Sequence, residues 1–115
     1  MNLTEELTAL GCNTEEAVKR FMNNTALYEK MLKKLPAAIS ETPVMPLIES
    51  GDLETAASNA HTLKGVTGNL SVTPLYDAYT EIVQLLRNGD GEKAGSVLQD
   101  ILPVQEKIVN CINSF

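Results

Sequence analysis

Apolar residues in this chain recur at intervals of three and four, and no stretch alternates apolar with polar long enough to make a half-buried strand. Segment 53–70 shows the pattern best. At about 100° per residue, Leu53, Ala56, Ala60, Leu63, Thr67 and Leu70 fall on one helical arc, with Ala57 at its border. A stripe of that kind is stable only when buried against another element, and helices are all this sequence offers. All-α is therefore the expected fold class. Small alanines on the stripe let a neighbouring helix approach closely, while Leu63 and Leu70 fill the layers between.

The same spacing places the other elements. Asn13, Thr14 and Glu16 give capping signals ahead of Val18, Phe21 and Met22. From Thr25 to about residue 38, Leu27, Tyr28, Met31, Leu32 and Leu35 predict one continuous helix, frayed at Pro36. A short helical piece around Pro46 to Glu49 stops at Ser50-Gly51, and Asp52 is the expected N-cap of a helix from Leu53 to about Leu70. Thr73-Pro74 marks the next start, with Thr73 as N-cap, and Leu75, Tyr79, Ile82, Val83 and Leu86 give its inner face. After Asn88-Gly89-Asp90-Gly91, the last helix carries Ala94, Val97, Leu98, Ile101 and Leu102, then Ile108, Val109 and Ile112, with a kink expected at Pro103. Tyr28, Tyr79 and Phe21 are expected in the core. Four long helices on short loops predict an up-and-down antiparallel four-helix bundle preceded by short N-terminal helical segments.

A chain of 115 residues is the usual size of one domain, so residues 1–115 are expected to form a single one. The net charge of −6, with only nine scattered basic residues, argues against a nucleic-acid partner, and few aromatics with no Trp argue against stacking platforms for bases. No apolar run is long enough to span a membrane, and Met1-Asn2-Leu3-Thr4-Glu5-Glu6 lacks the basic and apolar parts of a signal peptide, so a cytoplasmic protein is expected. Cys12 and Cys111, far apart and without metal-type spacing, are expected to be reduced thiols.

The chemistry converges on the only histidine, His61, in the run Ala60-His61-Thr62-Leu63-Lys64-Gly65 followed by Gly68-Asn69-Leu70. His61, Lys64, Gly65 and Gly68 share one side of the helix, beside the apolar arc, so His61 is expected to reach solvent. Two helix-interior glycines cost about 2 kcal/mol out of a typical domain stability of roughly 5–15 kcal/mol, a loss that something should compensate. Gly65 and Gly68 keep that side of the helix low. The alternative use of such glycines is close helix packing; Asn69 is equally suited to capping the helix end.

These residues resemble the histidine-containing phosphotransfer domains of multistep two-component phosphorelays. The likeness runs through the His61 segment, Asn69-Leu70, Leu75 and Leu86-Arg87-Asn88-Gly89-Asp90, with Gly51-Asp52 upstream and a looser match from Arg20 to Leu35. Two positions depart: Ser71 stands where a glycine is usual after Asn-Leu, and Val83 where a glutamate is common. Without that glycine, the His61 helix is expected to close through a serine hydroxyl bonded to the backbone.

The resemblance implies that His61 takes a phosphoryl group from a receiver-domain aspartyl phosphate, through Nε2, and passes it to another receiver. Neutral imidazole is a competent nucleophile. The Lys64 ammonium repels a second positive charge on the ring and can pair with phosphoryl oxygens after transfer. Gly65, Gly68 and Asn69 are then the expected partner contacts, and receiver domains of response regulators or hybrid histidine kinases the expected partners. No cofactor is expected on this chain, since the resemblance puts the divalent cation on the receiver. A monomer is expected, because one such bundle buries its own core.

Two other function classes compete. A di-metal carboxylate bundle needs Glu-x-x-His on two helices, whereas Ser58 stands three residues before the only histidine. An interaction module that keeps the bundle without the chemistry has no need of both His61 and Lys64. With no Gly-rich nucleotide loop and no Ser-His-Asp set, the chain is expected to be a phosphoryl carrier and not an ATP-dependent kinase.

Overall fold

Helix starts in this chain are set by side chains: Asn2, Asn13, Asn24, Asp52 and Asp90 each accept a hydrogen bond from the backbone N–H three residues on. They open five of the eight α-helices in the computed structural model, which describes residues 2–115. The helices are α1 (Leu3–Ala9), α2 (Thr14–Arg20), α3 (Thr25–Leu32), α4 (Leu35–Glu41), α5 (Met45–Ser50), α6 (Leu53–Asn69), α7 (Thr73–Arg87) and α8 (Gly91–Asn113). The other three, α4, α5 and α7, each carry a proline in the first turn, where its missing N–H leaves no intrahelical bond unmade. The described residues are helical and turn only, with no strand.

Three helices are long. α6 packs on α7 and α7 on α8, each pair joined by a three-residue turn, the connection that makes helical hairpins. α4 and α5 both touch α6 and α8, and α1 lies on α8. The 23 residues of α8 span about 34 Å and set the long dimension of a molecule measuring 41 × 24 × 21 Å. α8 continues through Pro103; Gln99, whose carbonyl loses its partner there, is exposed, as is Pro103 itself.

The continuous helix expected from 25 to 38 is broken. Pro36 cannot donate to Leu32 and its ring crowds that carbonyl, so α3 ends at Leu32 and a new helix starts at Leu35. A fourth long helix is thus replaced by two short ones. Three apolar residues assigned to inner faces face outward: Met22 is 89 % exposed in the turn after α2, Leu27 is 41 % exposed at the start of α3, and Leu102 is 38 % exposed on α8. On the same segments Ala17, Tyr28 and Leu98 are buried instead.

The inner faces of α6 and α7 are as expected, with Ala56, Ala57, Ala60, Leu63, Thr67, Leu75, Tyr79, Ile82, Val83 and Leu86 buried. Tyr28 and Tyr79 each bury a large ring and keep their hydroxyls bonded, Tyr28 donating to the Leu70 carbonyl at 2.8 Å and Tyr79 to Gln105 Oε1. Burial pushes the Tyr79 phenol up to about 12, against the pull of its bond to Gln105, and pushes the Tyr28 phenol up as well. Phe21, half-buried, packs against Tyr28 with ring centroids 5.6 Å apart. Cys12 and Cys111 are free thiols. Among the described residues, no helix is long and apolar enough to cross a membrane.

Candidate functional site

α6 buries the arc from Ala56 to Thr67 against its neighbours, and that burial fixes what its opposite side can present. His61, one residue beyond Ala60 and two before the fully buried Leu63, is exposed. It stands on a ridge between two shallow clefts of about 530 Å³ each. One runs along α6 past Lys64, Gly65 and Gly68 to Tyr76 of α7 and to Arg20 of α2; the other lies towards Leu53, Ala57, Leu86 and Arg87. No side chain among the described residues hydrogen-bonds to the His61 ring, so both nitrogens remain free for chemistry. Lys64, one turn on and half-buried, lines the first cleft beside His61 and forms no ion pair with any described residue.

The two glycines are not equivalent. A Cβ at Gly65 would meet nothing within 4 Å, so that surface is open. At Gly68 the space is taken by the chain itself: a Cβ there would come within 2.9 Å of the Tyr76 ring, which lies across the helix. Tyr76 escapes a reading by periodicity, because it stands off the inner face of α7 and its contact is with a residue in another helix.

The end of α6 also departs from expectation. Ser71 adopts a left-handed backbone, φ 51°, its N–H bonds to the Gly68 carbonyl at 3.1 Å, and the Val72 N–H bonds to the Thr67 carbonyl at 2.9 Å. The helix therefore closes as it would with glycine, through the backbone and not through the serine hydroxyl, with Ser71 bearing the left-handed strain. That closure uses Val72 as the N-cap of α7, so Thr73 moves inside the helix, where its hydroxyl donates to the Ser71 carbonyl and accepts from the Asn13 N–H. Val83, at the other departing position, is buried in the core.

A residue from outside the His61 segment completes this end. Arg20 Nη1 donates to the carbonyls of Gly68, at 2.7 Å, and Asn69, at 3.1 Å, while Nη2 donates to Glu16, itself held by Asn13. A guanidinium on the last carbonyls of α6 satisfies groups the helix leaves unpaired and opposes the negative end of its dipole. Asn69 thus enters this network through its carbonyl, with its side chain exposed on the cleft. The 48-residue separation of Arg20 from Gly68 hides this contact from any local pattern.

Chemically, the site offers one free imidazole, one ammonium beside it and an open approach. Among the described residues, no three His, Cys, Asp or Glu side chains lie close enough together to hold a metal ion. The family model described as Hpt domain matches residues 22–112, which include α3 to α7 and most of α8. No curated protein and no solved structure gives a significant match to the chain.

Proposed function

We propose a phosphotransfer role from one premise: the chain belongs to the Hpt domain family. The family's members are phosphoryl carriers of phosphorelays, and the observation that carries the reading to a residue is the free, exposed ring of His61 on its ridge. In this reading the lone pair of Nε2 attacks the phosphorus of a receiver's aspartyl phosphate. An N–P bond forms, the acyl-phosphate P–O bond breaks, and the aspartate carboxylate leaves with the electron pair. Passing the group to a second receiver is the same step reversed, with an aspartate oxygen as nucleophile.

Such a transfer needs in-line positioning within about 3–3.5 Å and neutralisation of charge more than it needs many catalytic groups. Lys64 supplies a cation for the phosphoryl oxygens, and the partner supplies its own divalent cation. The open surface at Gly65 lets the partner come close enough for contact between the reacting atoms. The whole of 1–115 acts as one carrier unit without kinase activity, monomeric and cytoplasmic. The bundle is the four-helix up-and-down type, with α3 and α4 together forming the fourth arm.

Incubating the protein with a phosphorylated receiver domain tests the reading. Label should move to the wild-type chain in acid-labile form and not to His61→Gln. A chain that binds receivers but takes no label would be an interaction module, and the carrier role would be wrong.

A further inference from the structure

We propose that Tyr76 is a docking residue for the receiver partner, and that Gly68 serves the partner only indirectly, by letting the Tyr76 ring lie on α6. The inference rests on the phosphotransfer reading of His61 and adds to it a contact on another helix.

Tyr76 is 36 % exposed, yet α7 is already anchored without it by Leu75, Ala78, Tyr79 and Ile82. Its hydroxyl has no hydrogen-bond partner among the described residues, and its ring lies over Gly68, where a Cβ would be 2.9 Å away. Gly68 is seven residues from His61, which is about 20° around the helix and about 10 Å along it. A standard interface covers about 800 Å² per partner, a disc of roughly 16 Å radius. A protein that brings its aspartate to His61 therefore covers Tyr76 as well. An aromatic ring set on a rigid helix close to the centre of a contact is the side chain most often found to dominate binding. The same cleft wall carries Glu16, Asp77, Arg20 and Lys64. Arg20 is already engaged by Glu16 and the end of α6, which leaves Lys64 as the cation without an ion pair among the described residues, suited to the acidic surroundings of a receiver's phosphorylated aspartate.

The glycine has a distinct meaning in this arrangement. If Gly68 merely cleared the way for the partner, any added side chain would obstruct directly. If it makes room for Tyr76, an added methyl acts by displacing the ring.

The test uses a phosphorylated receiver domain that loads the wild-type chain, with the KM for that receiver and the maximal rate measured separately, and a small phosphoramidate as a donor that needs no docking. Tyr76→Ala should raise the receiver KM about tenfold, with the maximal rate within about twofold, and lower the ratio of receiver loading to phosphoramidate loading by a similar factor. Tyr76→Phe keeps the ring and should stay close to wild type. Gly68→Ala should raise the KM, and Gly68→Ala combined with Tyr76→Ala should be no worse than Tyr76→Ala alone. A KM for Tyr76→Ala within twofold of wild type overturns the docking role. Full additivity in the double variant overturns the indirect role of Gly68. If the wild-type chain takes phosphate from phosphoramidate but from no receiver, the phosphotransfer reading fails first and this inference falls with it.

Discussion

Replacing Tyr28 with Phe removes a single oxygen and tests how the His61 helix is tied to the rest of the molecule. The Tyr28 hydroxyl donates to the carbonyl of Leu70, the residue that ends α6, at 2.8 Å in a buried setting. Leu70 is 5 % exposed, and its carbonyl has no other partner among the described residues, so the variant leaves a buried acceptor unpaired. The net loss of such a bond is about 1 kcal/mol, rising towards 3 kcal/mol when the stranded group stays dry. The ring stays, so no cavity term of the size seen in large-to-small substitutions applies. A loss of about 1.5 kcal/mol, divided by an unfolding entropy of about 2.1 cal/mol/K per residue over the whole chain, lowers Tm by about 6 °C. Calorimetry and urea unfolding measure this directly. Receiver loading of His61 well below Tm should be unchanged, because Leu70, the residue Tyr28 bonds, is nine positions and about 180° around α6 from His61. A Tm within 1 °C of wild type would refute the claim that this bond holds the end of α6.

Other outcomes follow from the same geometry. Gly65→Ala should stabilise the protein by about 0.5–1 kcal/mol in urea unfolding, since its Cβ meets nothing, whereas the longer Gly65→Gln should fold equally well and slow receiver loading at least tenfold; unchanged loading by Gly65→Gln would remove the clearance role. Met22 sits at φ 58° and 89 % exposed, so Met22→Gly should relieve left-handed strain worth about 1 kcal/mol, part of it offset by backbone entropy, and a fall in the urea midpoint would contradict this. Burial pushes the Cys12 thiol up to about 11 and the Tyr79 phenol up to about 12. The unfolded chain gives up these protons nearer 9 and 10, so the folded state holds more protons there and loses stability as pH rises. The urea midpoint should be flat up to about pH 8 and fall towards pH 11, with Cys12→Ala and Tyr79→Phe each flattening the fall; an alkaline limb unchanged in both variants would count against this cause.

The parts of the fold legible in the sequence were those set by local chemistry. Asp52 caps α6 and starts it at Leu53, and the arc from Ala56 to Thr67 is the buried face, because a cap and a period act within a few residues. His61 was expected at the surface for the same reason. The split at Pro36 is hidden from periodicity, which continues across the proline: the inner residues Tyr28, Leu32 and Leu35 are buried whether the helix is one piece or two. Ser71 shows the opposite case, in which the backbone closure common to glycine is kept by a residue that does not favour it, held by bonds from Ser71 and Val72 and by Asn13 donating to the Ser71 carbonyl. Arg20 and Tyr76 were not legible at all, because each reaches the His61 helix from a different element and only the packed chain brings them together.

The central claim is that the His61 ring itself carries the phosphoryl group. Phosphorus NMR of the purified chain after incubation with a phosphorylated receiver reads the bond directly. The account predicts one phosphohistidine resonance, lost on acidification and absent from His61→Gln. A wild-type chain that shows no such resonance with any receiver, or a His61→Gln chain that still shows it, would contradict the account.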